Sequence, residues 1–261
     1  MDDPSRPDLK DKKVLVTGAS SGLGWVCATA LATRGAKLVV TARSEDRLEK
    51  LRQSLPGPDN HMTFAADLLI PDNVMKLVER SKEFFGHFDV LLHVLGGGLG
   101  LREPLLGWDD WCRLYNLNLV VAAEINRLFL PSMIQQGKGN VVHVGSIASS
   151  EATGSVGYNT VKAGLAAYVR SLGRELAPTG VIVTGILPGA FWAPDNAWVR
   201  MKAQNPEVVE KFIKARLPRM RIGQAEELIP MILLLCSDAA SMMSGCLVPM
   251  DAGEGMAYVT G

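Results

Sequence analysis

Residues 13–24, which read Lys-Val-Leu-Val-Thr-Gly-Ala-Ser-Ser-Gly-Leu-Gly, constrain the fold more than any other stretch of the chain. A short apolar, β-branched run meets a glycine-rich turn, and residues 25–34 continue in a helical pattern with Ala28, Leu31 and Ala32 on one face. The order is strand, tight turn, helix start. Gly18, Gly22 and Gly24 serve separate needs: a tight or left-handed turn, close approach of backbone to a ligand, and close packing of helix on strand. Ser20, Ser21 and Leu23 complete the turn. N–H groups at a helix start lack intrahelical partners and suit a pyrophosphate. The lysine and Ser/Thr of a nucleoside-triphosphate loop are missing, so a dinucleotide is favoured over ATP. The alternative is a βα turn that binds nothing.

A chain of 261 residues, 48% hydrophobic, can bury the core of one large α/β domain, and we read 1–261 as one domain. Its 27 basic and 27 acidic residues cancel, which argues against nucleic acid as a partner. Cys27, Cys112, Cys236 and Cys246 are scattered without CxxC spacing, each in an expected helix or strand. They read as reduced, semi-buried small hydrophobes of a cytoplasmic protein. Residues 1–12 are polar, with two prolines and no apolar centre, unlike a secretory signal. No uninterrupted apolar run approaches bilayer length, so no membrane partner is expected.

Strands are expected at 37–40, 61–65, 89–95, 140–144, 181–186 and 246–248 in addition to the first, with helical patterns between them. That alternation predicts a three-layer, doubly wound α/β fold around a seven-stranded parallel sheet, with ligands at the carboxyl ends of the strands. Several residues fall at those ends. Where an acidic residue would pair with ribose hydroxyls, the second strand runs out at Arg43 and Ser44. An arginine offers planar, charge-assisted donors to a 2'-phosphate, and Ser44 can add a hydroxyl; otherwise Arg43 is a solvated loop residue beside Glu45 and Asp46. Asp67, followed by Leu68, is placed to accept from an adenine amino group or equally to cap the next turn. The fourth strand enters Gly96, Gly97 and Gly98, leaving room for a ribose or nicotinamide against the backbone, and its His93 reads as a satisfied core histidine. The sixth strand ends at Pro188 and Gly189. Residues 190–220 break the rhythm and read as a substrate lid with a short helix at 206–215. The Gly-rich tail, 251–261, is expected to fold back near the site or an interface.

Tyr158 and Lys162 are four residues apart on an expected helix and share a face, about 6 Å apart along its axis. A free tyrosine, with pKa about 10, exchanges protons poorly at neutral pH, and a nearby ammonium favours its phenolate. Ser146, just past the fifth strand, is placed to hydrogen-bond a carbonyl oxygen and stabilise the alkoxide developing on it.

With these residues in place, the chain resembles a classical short-chain dehydrogenase/reductase over almost its whole length, from Lys13 to about Gly255. The resemblance is carried by residues 17–24, Asp67, Gly96, Asn118, Ser146, Tyr158, Lys162 and Pro188-Gly189. It implies Tyr158 as acid/base, Ser146 orienting substrate, and Lys162 lowering the tyrosine pKa and holding the nicotinamide ribose. It further implies that Asn118 kinks its helix and anchors a proton-relay water, and that a homotetramer or homodimer packs through helices 108–136 and 154–177. Three departures stand out. His93-Val94-Leu95-Gly96 replaces the usual Asn-Asn-Ala-Gly, so the side-chain bonds bracing the central strand are replaced or lost. Gly145-Ser146 stands where Ser-Ser is usual. Ala193 stands where a threonine commonly bonds the nicotinamide carboxamide, leaving backbone groups of 189–192 to serve.

For substrate, Gly98, Leu99, Leu101, Phe191, Trp192 and Trp198 predict an apolar, partly aromatic wall for a medium-sized ketone. The charged Arg102, Arg200 and Lys202 read more simply as solvated than as partners of an acidic substituent. The expected function is an NADP-dependent (NADPH) reductase of such a ketone. The alternatives are an NAD-dependent alcohol or sugar dehydrogenase and a non-catalytic dinucleotide scaffold or sensor. No Cys/His cluster has metal-ligand spacing, which disfavours a zinc dehydrogenase.

Overall fold

The computed structural model describes residues 9–257. Seven parallel strands form the main sheet in the order β3-β2-β1-β4-β5-β6-β9. They are β1 (Lys13–Thr17), β2 (Lys37–Ala42), β3 (Met62–Ala65), β4 (Val90–His93), β5 (Gly139–Val144), β6 (Val181–Pro188) and β9 (Leu247–Met250), the numbering leaving β7 and β8 for a separate ribbon. The order reverses beside β1, which opens a crevice at the carboxyl ends of β1 and β4.

Strands buried on both faces explain the near-continuous apolar runs. Val14, Val16, Leu38, Val40, Val90 and Leu92 meet Leu31 of α1 (Gly22–Thr33), Leu48 and Leu51 of α2 (Glu45–Ser54), and Ile232 and Leu235 near the chain's end. Their neighbours Leu15, Val39, Leu91, Val141 and Val183 point to the other face. There they meet α3 (Pro71–Phe85), α4 (Trp108–Tyr115) with α5 (Val121–Gln136), and α6 (Val156–Leu176). Phe129 packs edge-on against Phe88 at 4.9 Å between ring centres, both fully buried.

Between α4 and α5 the helix widens into a π turn, Asn116–Val120. The cause is local: the Asn118 amide Nδ2 donates to the Leu114 carbonyl at 3.0 Å, engaging an acceptor that a backbone N–H would otherwise hold. The resulting helical run, Trp108–Gln136, is by length and mean hydropathy sufficient to cross a membrane, although charged residues interrupt it. In this fold Ile125, Phe129 and Met133 are buried against the sheet and Leu114 against α6, as in the core helix of a globular protein.

Residues 190–224 stand apart from the alternation. They hold β7 (Phe191–Trp192), α7 (Ala197–Gln204), α8 (Pro206–Arg216) and β8 (Gly223–Gln224), with β7 and β8 paired in parallel. Val209, Leu217 and Ile222 form a small core of their own with Trp198 and Phe212. Only α8 was foreseen; α7 is started by Asn196, whose Oδ1 accepts the Val199 N–H at 3.0 Å. After them α9 (Ile229–Leu235) returns the chain to β9. The cysteines are unpaired, and one departs from expectation: Cys27 and Cys236 are buried and Cys246 partly so, but Cys112 is exposed. The expected signal-free segment 1–12 and the last part of the tail lie mostly outside the described residues.

Candidate active site

The glycine turn is tight because two backbones touch. A Cβ on Gly24 would stand 2.2 Å from the Gly18 carbonyl oxygen, so α1 can back onto the turn only without one. Gly18 and Gly22 adopt φ of 70° and 59°, in the left-handed region. Ser21 occupies the N-cap of α1 without a capping side-chain bond. Among the described residues the Leu23 and Gly24 N–H groups and the Ser20 and Ser21 hydroxyls have no hydrogen-bond partner. The Gly22 N–H donates instead to the Pro194 carbonyl at 2.8 Å, bringing the 190–224 segment onto the turn.

Arg43 and Ser44 lie at the end of β2, Arg43 exposed and Ser44 partly so, with no side-chain partner among the described residues. Nearby Arg47 pairs with Asp195 at 2.9 Å, a second tie to the same segment. Asp67 uses Oδ1 to accept the Leu69 N–H at 3.0 Å, the turn-capping role, and Leu68 is buried. Pro188 closes β6, and the Gly189 N–H donates to the Met250 carbonyl at 3.2 Å.

Ser146, Tyr158, Lys162 and Asn118 converge where β5, α6 and the π turn meet. Helix α6 is capped by Ser155, whose Oγ accepts the Tyr158 N–H at 3.4 Å, so the tyrosine lies in the first turn. Ser146 lies near enough to its phenol to lower the phenol's pKa, and Ser146 Oγ accepts the Ala148 N–H at 3.2 Å. One turn further on, Lys162 Nζ donates to the Val144 carbonyl at 3.0 Å and lies 5.8 Å from the centre of the Tyr158 ring. Asn118 Oδ1 accepts the Gly97 N–H and its Nδ2 donates to the Gly97 carbonyl, both at 3.0 Å. A Cβ placed on Gly96 would be 2.9 Å from Asn118 Oδ1 and 3.2 Å from Lys162 Nζ, so both side chains reach the same point.

Burial orders the electrostatics differently from expectation. It pushes the Tyr158 phenol above its usual pKa, against the opposing effect of Ser146, and pushes Lys162 down to about 8. At neutral pH the phenol is held protonated. Lys162 is 4% exposed and has Val144 as its one acceptor among the described residues, leaving two ammonium donors free.

The departures at the central strand are compensated by bonds that sequence reasoning did not find. Thr17 Oγ1 accepts the Val94 and Leu95 N–H groups at 3.1 and 3.2 Å, bracing the end of β4. His93 Nε2 bonds Asn126 Oδ1 at 2.9 Å, and Asn126 Nδ2 donates to the Tyr168 hydroxyl at 3.0 Å. His143, the register partner of His93 on β5, stacks on it at 4.7 Å. Two histidines at equivalent positions of apolar strands were the available signal. Burial holds His93 down to about 4 and His143 well below its ordinary value, so both rings are neutral.

The expected substrate wall is only partly assembled. Gly98 borders the Tyr158 ring, 3.6 Å separating a Cβ there from Cδ2, and Leu99 follows at φ 55° and 39% exposed. Phe191 leans on the α1 side of the core, Trp192 lies under Lys202 at 5.3 Å, and Trp198 packs at a tilt on Phe212 at 4.4 Å. Trp198 is therefore drawn into the interior of the 190–224 segment. An open hollow of about 650 Å³ is bordered by Trp192, Val199, Lys202, Ala203 and Gln224. Among the described residues no group of His, Cys, Asp and Glu could hold a metal ion.

These features fit a dinucleotide: unfilled N–H donors at the start of α1, a turn that a Cβ would fill, and a buried ammonium with spare donors. The family model of enoyl-(acyl carrier protein) reductase matches residues 18–254. A 3-oxoacyl-[acyl-carrier-protein] reductase of Aquifex aeolicus is 30% identical over 251 residues, covering 94% of this chain and 98% of its own. Levodione reductase of Leifsonia aquatica is 31% identical over 257 residues, with 95% and 96% covered. Among solved structures, levodione reductase superposes with a TM-score of 0.86 at 31% identity over 95% of this chain and 99% of that one. The L-sorbose reductase of Gluconobacter frateurii, complexed with NADPH and L-sorbose, gives 0.89 at 27% identity over 96% and 100%.

Proposed function

Since this chain belongs to the short-chain dehydrogenase/reductase family and is an NAD(P)-dependent oxidoreductase, we propose that it uses NADPH to reduce a medium-sized, partly apolar ketone to a secondary alcohol. The observation that carries the reading is the meeting of Ser146, Tyr158, Lys162 and Asn118 at the carboxyl end of the sheet. Bound at the glycine turn, the cofactor supplies a hydride. Residues 18–24, Asp67, Leu68, Gly96, Pro188 and Gly189 would hold it, with the free ammonium donors of Lys162 suited to ribose hydroxyls. Ser146 orients the ketone oxygen and stabilises the charge that grows on it. Tyr158 Oη then gives its proton to that oxygen, and a phenol kept protonated by burial is in the form this step requires. The 190–220 region acts as the lid.

Support for NADPH over NADH comes from Arg43, an unpaired guanidinium at the end of β2, with Ser44 beside it. The L-sorbose reductase, whose structure holds NADPH, and the 3-oxoacyl and levodione enzymes are all named as reductases of carbonyl compounds. A dimer or tetramer is supported by the exposed Leu105, Trp108, Val120 and Val156 on and beside the α4–α5 and α6 helices, 92%, 83%, 48% and 48% exposed.

Fluorescence titrations with NADPH and NADH, followed by a ketone panel, test the reading. Tenfold tighter NADPH binding and turnover of cyclic or aliphatic ketones are expected; tighter NADH binding, with turnover confined to alcohols, would support the oxidative alternative. Tyr158→Phe should lower kcat by at least about 100-fold while leaving the NADPH Kd nearly unchanged. Undiminished turnover in that variant would refute the proton-donor assignment.

A further inference from the structure

Beyond Pro188 the backbone turns at Gly189–Ala190 into β7, and three polar groups of this turn have partners. The Gly189 N–H goes to Met250 and the Ala190 carbonyl accepts from the Gly223 N–H at 3.1 Å. The Ala190 N–H is directed the other way, to Glu254 Oε2 at 2.6 Å. That carboxylate comes from the tail beyond β9, 64 residues along the chain, yet Glu254 is only 6% exposed. It occupies the space in which Gly189 would carry a side chain: a Cβ there would be 2.5 Å from Oε2 and 2.8 Å from Asp251 Cβ.

The tail is fixed at its far side as well. Glu151 Oε1 accepts the Met256 and Ala257 N–H groups at 2.7 and 3.1 Å, and Glu151 follows the short turn that begins after Ser146. Residues 251–257 thus bridge the loop carrying Ser146 and the turn at Pro188–Gly189. Burying a carboxylate is unfavourable unless it is well bonded, and a short bond to a backbone N–H in a water-poor site is among the stronger ones. The groups around it are Arg216 from α8, Asp251 from the tail and Glu151 from the loop. Burial raises the Glu254 pKa, the Ala190 bond and Arg216 oppose that rise, and Asp251 and Glu151 add to it.

We infer that Glu254 is a positioning residue for the nicotinamide end of the cofactor, setting the Gly189–Ala190 turn by holding the Ala190 N–H. The inference rests on the proposed use of Pro188 and Gly189 in cofactor binding. It also supplies what Ala193 does not. With no side-chain hydroxyl at that position, the cofactor depends on backbone groups of the turn, and their direction is set by the tail.

The test compares Glu254→Gln, Glu254→Asp and Glu254→Ala in the full chain. Equilibrium titrations use NADPH and 2'-phospho-ADP-ribose, a fragment lacking nicotinamide, alongside thermal midpoints without cofactor. Glutamine keeps an acceptor at the same reach and should bind NADPH within about threefold of wild type. Aspartate, one methylene short, and alanine should bind it at least tenfold more weakly, about 1.4 kcal/mol. The fragment should bind all four proteins alike. In kinetics the loss should fall on KM for NADPH more than on kcat. Equal NADPH affinity in all variants would overturn the inference. So would parallel losses of NADPH and fragment with a lowered thermal midpoint, which would mark Glu254 as a tail anchor only. Wild type that binds the fragment but gains nothing from nicotinamide would overturn the underlying reading along with the inference.

Discussion

Acid should destabilise this protein through the His93–His143 pair before most of its carboxylates protonate. Burial holds His93 at about 4, against an ordinary value of 6.5, and pushes His143 down in the same direction. A base with a depressed folded-state pKa contributes its full stability above the unfolded value, and that contribution is lost as pH falls, because the unfolded chain takes up the proton first. Between pH 7 and pH 5 His93 should therefore withdraw about 2 kcal/mol, and His143 adds to the loss in the same direction. Against a typical total of roughly 5–15 kcal/mol this is a large share. The assay is urea unfolding by circular dichroism at pH 7, 6 and 5, at one protein concentration, on wild type and His93→Asn. Asparagine does not titrate, so the variant should lose about 2 kcal/mol less over the same interval. His61, also held down by burial, contributes equally to both proteins and cancels in the comparison. A variant with the same pH slope as wild type would refute the claim that His93 is buried neutral.

Two further outcomes follow from the geometry. Arg43→Ala should weaken NADPH binding about tenfold or more while changing NADH binding much less, since a charge-assisted bond to one phosphate is removed; equal losses for both cofactors would refute the role. Phe129→Ala should lower unfolding free energy by about 3–5 kcal/mol with little change in KM, read by urea midpoint and steady-state kinetics, because the ring is 1% exposed and packs on Phe88, which precedes β4 at the amino end of the sheet, opposite the carboxyl ends that carry the site.

Features decided by nearest neighbours were legible in the sequence. The glycine turn at 18–24 declared itself because a tight turn, a close approach and a helix start each demand particular residues at fixed spacing. The strands were legible as apolar runs, and Tyr158 and Lys162 as one helical face. Long-range contacts were not. That His93 has a partner could be expected, but not that Asn126, Tyr168 and His143 supply the network, since only the sheet register brings β4 beside β5. Helix α7 is not legible in the sequence because Ala197–Gln204 is only 8 residues long and its start depends on the Asn196 cap. The direction of the Tyr158 pKa was misjudged for the same reason. Spacing shows that Lys162 is near but not that burial of the phenol dominates, with Ser146 opposing it.

Pro194 and Asp195 tie the proposed lid to the β1–β2 side of the cleft, one to the Gly22 N–H and the other to Arg47. A strap across an entrance makes exchange a matter of timing as much as affinity. Each time spent cofactor leaves, the strap must lift, and the frequency of that opening is a property of the empty lid that takes no account of which ketone was reduced. Good substrates of quite different shape should then share one ceiling rate, and Asp195→Ala should raise that ceiling for all of them together.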